Sequence, residues 1–194
     1  MKRRAALKNI GLSVGFVVAA PPLLSLLQQC KAAGTAWDPL YFSPEQGEVV
    51  RNLVDLILPT TAATPGALDV NVPQFIDLYV NETYDETQKE NYAKQLNALM
   101  AELTSTQQVG DLQPEAYDAL LKKYLKATAA ERAAFDENEK LVYRSLNGLR
   151  DRSIWAYRTS QKIGEEVLAY DPVPGKQIGC GDLQELTGGK RWSL

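Results

Sequence analysis

The 194-residue chain is 45% hydrophobic and 23% charged, so it can bury a core, and its length fits one domain of ordinary size. Lys and Arg number 21 against 24 Asp and Glu, a net charge of -3 that sets nucleic acid aside as a partner, because such binders carry a basic footprint. The absence of histidine removes Ser-His-Asp and Cys-His triads, His-ligated metals and His-ligated haem; two cysteines, Cys30 and Cys180, complete neither a thiolate zinc site nor an iron–sulfur cluster without another chain.

Residues 1–29 read as an export signal. Lys2, Arg3, Arg4 and Lys8 are their only charges, and an apolar run from Ile10 to Leu27 follows, interrupted by Pro21-Pro22. A permanent membrane helix wants about 20 unbroken apolar residues, which Gly11, Ser13, Gly15 and the proline pair argue against. Lys2-Arg3-Arg4-Ala5-Ala6-Leu7-Lys8 resembles the twin-arginine signal at Arg3, Arg4, Leu7 and Lys8, an address read by a receptor and used for folded cargo. A Sec signal that contains two arginines is the alternative. Cys30, at the end of the apolar run, resembles a lipoprotein lipidation site, although Gln28 and Gln29 depart from the usual small residues. The other reading is cleavage by the ordinary signal peptidase near Ala32–Ala36. Both place the mature protein in the periplasm, with a lipid anchor or a partner as its link to the membrane.

After a linker over residues 30–42, the pattern becomes helical. Ser43-Pro44-Glu45-Gln46 has the form of a capping box with proline in the first turn, and Val49, Val50, Leu53, Val54 and Ile57 recur at helical spacing up to Pro59. A loop with Thr60, Thr61, Thr64, Pro65 and Gly66 leads to a second helix from Pro73, with Phe75, Ile76, Tyr79 and Val80 expected on its buried face. Asp85 to Gln88 opens a third helix carrying Tyr92, Leu96, Leu99, Met100 and Leu103, and Pro114 starts a fourth carrying Tyr117, Leu120, Leu121, Tyr124 and Leu125. Thr128 to Glu131 opens a stretch through Phe135, Leu141, Val142 and Leu146, which Gly148 is expected to bend or end before Ile154, Trp155, Ile163 and Val167 resume the period. The fold expected is all-α: a compact bundle of about five to six helices over residues 43–169.

Residues 170–194 hold five glycines and two prolines and show no apolar period, so this tail is either disordered or held by a surface. Tyr170, Val173, Ile178, Leu183, Leu186 and Trp192 are side chains that dock, and they favour a surface. Trp155, at helical spacing, is expected in the core, whereas Trp192 is the better interface candidate because it has no bundle of its own to enter. Cys180 is either a bridge to another chain or a buried thiol packed against a neighbour.

Motifs for chemistry are scarce. Asp136, Glu137 and Glu139 lack the glycine and glutamate spacing of a calcium loop and read as a solvated helix face. Gly188-Gly189-Lys190 lacks the rest of a phosphate loop, and no dinucleotide-binding glycine pattern follows a strand. No catalytic, cofactor-binding or metal-binding residue is therefore assigned, and any cofactor belongs to a partner.

Tyr170-Asp171-Pro172-Val173-Pro174-Gly175, followed by Gly179-Cys180 and Gly189-Lys190-Arg191-Trp192, resembles the carboxyl-terminal signature of the gluconate 2-dehydrogenase subunit 3 family. Ser43 to Gln46, Leu56 to Thr60, Thr64 to Ala67, Val72 to Asp77, Tyr157, Thr159-Ser160 and Ile163-Gly164 agree with the family in order; Arg150, Asp151 and Arg152 make their stretch more charged than the family leads one to expect. The resemblance implies a non-catalytic accessory subunit of a membrane-associated dehydrogenase of gluconate or related sugars. The FAD would lie in a large catalytic subunit similar to glucose-methanol-choline oxidoreductases, and haem c in a cytochrome c subunit where one is present. Arg3 and Arg4 would then serve export of both chains, Cys30 lipidation, and Tyr170, Asp171, Pro172, Pro174, Gly175, Cys180 and Trp192 the partner contact. A lipid-anchored envelope binding module with no flavoprotein partner is the competing reading, and a free-standing enzyme using carboxylates such as Asp136 or Glu139 is a third.

Overall fold

The computed structural model describes residues 37–173, 175 and 179–193. The chain divides into two units, Met1–Trp37 and Asp38–Leu194. Arg3, Arg4 and Cys30, on which the export and lipidation expectations rest, lie outside the described residues, as do Pro174 and Ile178.

The second unit starts by tying its entering segment to a buried carboxylate. Asp77, 1% exposed, accepts hydrogen bonds from the backbone N–H groups of Leu40, Tyr41 and Phe42 at 2.7, 3.0 and 2.9 Å. Three amide donors compensate a charge that would be costly to bury alone. Helix α1 (Pro44–Ile57) follows directly, with the reciprocal capping box of Ser43 and Gln46 at its start and Val49, Val50, Leu53 and Val54 fully buried along one stripe. The loop after it closes on itself. Asp69 accepts from Thr60 Oγ1 and from the Gly66 N–H, both at 2.7 Å, and a Cβ at Gly66 would stand 2.5 Å from the Thr60 nitrogen, so only glycine fits there. The same two donors hold the Asp69 carboxyl below its ordinary pKa, Thr60 contributing most.

Asn71, in the left-handed region at φ 55°, turns the chain into α2 (Val72–Thr83). Asp85 and Gln88 box the start of α3 (Glu86–Leu103), and α4 (Pro114–Leu125) begins at its proline. Two differences from expectation follow. The Thr128–Glu131 box opens only the six-residue α5 (Ala129–Ala134), because Phe135 goes extended and turns its ring toward Tyr124 and Tyr143, with centroids 5.4 and 6.0 Å away. A new helix, α6 (Glu137–Thr159), then starts from a second box in which Asp136 accepts from the Glu139 N–H at 2.7 Å. The acidic cluster is therefore a helix start, and its negative charge complements the positive end of the helix dipole.

Helix α6 packs against α1, α2, α3 and α4 and is the spine of the unit. Gly148 does not end it, since the 23-residue helix continues through it to Thr159. The space above Gly148 holds the Arg152 guanidinium, whose Nη1 lies 2.8 Å from where a Cβ would be. That guanidinium donates from Nε to the Tyr84 hydroxyl at 3.0 Å and stacks over Tyr92 at 4.9 Å, so the unexpectedly charged stretch puts one arginine into an aromatic cage. Burial in that cage pushes the Tyr92 phenol well above its ordinary pKa. Lys123 ties α4 to its neighbours through Glu102 at 3.0 Å and Glu139 at 3.1 Å. Beyond α6, Ile163–Val167 forms a single π turn rather than a resumed α-helix, with Ile163 buried at its start. The expected all-α bundle is what the described residues form, with five helices of twelve residues or more.

Candidate functional site

The buried stripe of α6 is Val142, Leu146, Leu149, Ser153 and Ala156, and small residues at its carboxyl-terminal half let the helix lie close to its neighbours. That stripe leaves Trp155 outside. Trp155 is 45% exposed, which corrects its placement in the core, and Phe75, expected on the buried face of α2, is 39% exposed beside it. The two rings meet edge to face at 5.3 Å, and Tyr79 meets Trp155 at 5.2 Å. With Leu78 and Ile154 also exposed, α2 and α6 present a contiguous aromatic and aliphatic surface to water.

The tail extends this surface. Among its described residues is a short helix, α7 (Leu183–Thr187), capped by Asp182 and closed by Gly188 and Gly189 at positive φ, where the sequence shows no apolar period because one turn and a half is too short to display one. The chain then returns to the end of the bundle. The Ala169 N–H donates to the Arg191 carbonyl at 2.9 Å, and the Ser193 N–H donates to the Ala169 carbonyl at 2.8 Å, a parallel bridge that sets Trp192 beside α6. Trp192 therefore does have a bundle to return to, contrary to the premise of the sequence argument, yet it stays 46% exposed. Between Trp192 and α6 lies a groove of about 270 Å³ walled by Ile154, Trp155, Arg158, Leu168 and Ser193.

The other described tail residues expected at a partner contact sit at the surface. Tyr170 is half exposed, Asp171, Pro172 and Gly175 are exposed, and Gly175 occupies the left-handed region at φ 64°. Cys180 is an exposed thiol in this chain. Sequence reasoning missed Phe75, Leu78, Ile154, Arg158 and Leu168 as parts of this surface. The available signal was an excess: α2 and the end of α6 carry more large apolar side chains than one buried stripe can take.

No group of three or more His, Cys, Asp or Glu able to hold a metal occurs among the described residues, and no helix there is long and apolar enough to cross a membrane. Motif residues organise the fold around the surface: Asp77 anchors the entering segment, Gly66 closes the loop, and the Tyr157 hydroxyl donates to the Pro65 carbonyl at 2.7 Å, pinning that loop to α6. No curated protein and no solved structure matches the chain. The family model described as gluconate 2-dehydrogenase subunit 3 matches residues 44–175, from the first residue of α1 to the glycine that ends the tail motif. That match covers more than half of the sequence, and the chain belongs to the gluconate 2-dehydrogenase subunit 3 family.

Proposed function

We propose that this chain is the non-catalytic small subunit of a periplasmic, membrane-associated dehydrogenase of gluconate or related sugars, and that it binds, escorts and stabilises an FAD-bearing catalytic subunit of the glucose-methanol-choline type. The observation that carries the reading is the exposed surface of Phe75, Leu78, Ile154, Trp155 and Trp192 on a family member whose name denotes a subunit. Large aromatic side chains exposed together are characteristic of protein contacts, where they supply most of the binding energy. Flavin and substrate belong to the partner in this reading, with haem c in a cytochrome subunit where one takes part.

Escort by way of the twin-arginine route accounts for the basic start of the chain: a partner that folds around its flavin in the cytoplasm crosses the membrane with the subunit that carries the address. Purification through a carboxyl-terminal tag from mildly solubilised membranes tests the association. Flavin absorbance with a large second chain is the expected result; a colourless protein eluting alone from cells that make the flavoprotein contradicts it and favours the envelope binding module. For export, replacing Arg3 and Arg4 with lysine is expected to leave both chains in the cytoplasm. Unchanged periplasmic recovery of the pair would refute that step.

A further inference from the structure

Arg158 stands in the last turns of α6, in the wall of the groove between Trp155 and Trp192. Its Nε is buried with no acceptor, and its guanidinium makes no hydrogen bond or ion pair among the described residues. The one carboxylate in the same wall is already engaged, since Asp151 accepts from Arg150 Nη2 at 2.9 Å and from Arg150 Nε at 3.1 Å. Arg158 thus stands, partly buried, beside apolar walls with one buried donor that has no acceptor among the described residues. Buried donors are normally satisfied, so the unpaired Nε, next to a guanidinium head that still reaches the groove, suits an acceptor brought from outside.

Size and chemistry narrow what that acceptor is. A groove of about 270 Å³ lies at the small end of small-molecule sites, which run from about 300 to 1,000 Å³. It suits one large side chain. Ile154, Trp155, Leu168 and Trp192 make the walls apolar, while the planar guanidinium presents parallel donors that fit a carboxylate. The combination is that of an interface anchor: an apolar side chain in a pocket with a charged group beside it.

We propose that Arg158 receives a carboxylate of the catalytic flavoprotein partner while a large apolar side chain of the same partner segment fills the groove between Trp155 and Trp192. The inference rests on the accessory-subunit reading and adds to it the place and the chemistry of contact. It identifies Arg158 as a binding residue of this chain and an apolar residue next to an Asp or Glu as the feature recognised. The chain's overall acidity agrees with a local role for this arginine, because net charge alone would repel an acidic partner.

The test uses the full chain and the flavoprotein that co-purifies with it, separated and recombined, with binding followed by flavin fluorescence. Arg158→Met keeps the stem and removes the charge and donors; Arg158→Lys keeps the charge and loses the fork; Arg144→Met is an exposed control elsewhere on α6. Arg158→Met is expected to weaken binding about 30-fold or more, Arg158→Lys by about tenfold, and Arg144→Met by less than about twofold, with unchanged melting temperatures. Wild-type affinity in Arg158→Met overturns the proposal. Should that variant fail to fold, Arg158→Lys together with Trp192→Ala decides, and wild-type affinity in both overturns it as well. Failure of the unaltered chain to bind any flavoprotein is a different outcome, since it removes the accessory-subunit reading itself. A dimer of the unaltered chain that Arg158→Met dissociates would assign the groove to a second copy and also overturn the proposal.

Discussion

Helix α6 has two faces that follow different rules. On one, Val142, Ser145, Leu146, Leu149, Ser153 and Ala156 are buried, and Ser153 Oγ donates to the Leu149 carbonyl at 2.7 Å. On the other, Ile154 and Trp155 are exposed and Arg158 lacks an acceptor. The first face leaves little unsatisfied, as a core requires, and the second leaves an aromatic surface and a cation that gain from a partner. In the accessory-subunit reading, stability and recognition fall on opposite sides of one helix, and substitutions on the two sides should separate in their effects.

The largest effect on stability is expected from the inner face. Leu146→Ala removes a fully buried side chain and should destabilise the fold by about 3–5 kcal/mol, measured by urea denaturation. Asp77→Ala strands three backbone donors and should cost about 3 kcal/mol. Asp77→Asn keeps one acceptor oxygen and should fall between this variant and the unaltered protein. Gly66→Ala forces a Cβ against the Thr60 backbone and should cost about 1–3 kcal/mol, a value that a wild-type denaturation midpoint would contradict.

On the outer face the order reverses. Trp155→Ala and Trp192→Ala should each change stability by less than about 1 kcal/mol, yet weaken partner binding by about 2 kcal/mol or more. Equal losses of stability and binding would erase the distinction between the faces. The smallest effect is at the loop. The Asp69 carboxyl is held below its ordinary pKa by Thr60 and Gly66, so its stabilising contribution is present above the unfolded value and is lost as pH falls through the folded one. Thermal melting below about pH 4 should accordingly be less acid-sensitive in Thr60→Val than in the unaltered chain, with no difference between them in this slope near neutrality.

Much of the bundle was legible because its helix starts are written locally. Ser43-Gln46, Asp85-Gln88 and Thr128-Glu131 each form the reciprocal box their spacing implies, and the prolines before α2 and α4 fall in first turns. The break at Phe135 was hidden because two boxes in close succession give one continuous helical period, and only the ring's contacts with Tyr124 and Tyr143 decide where the chain turns. Gly148 misled for a similar reason: its missing side chain is used by Arg152, a partner four residues on that no propensity reveals. At the candidate site, the exposure of Trp192 was legible from its place in an irregular tail. That of Trp155 was not, since a large aromatic at helical spacing points equally to core and contact until Ser153 and Ala156 are seen to form the buried stripe.

The central claim is that the outer face recognises a flavoprotein, and flavin carried per mole of purified chain measures it directly. The tagged chain and its Trp155→Ala/Trp192→Ala variant, purified in parallel from the same membranes, should both be folded by circular dichroism. The account predicts flavin absorbance with a large second chain for the first and a nearly colourless protein for the second. Equal flavin in both would place the contact elsewhere on the molecule and contradict the account.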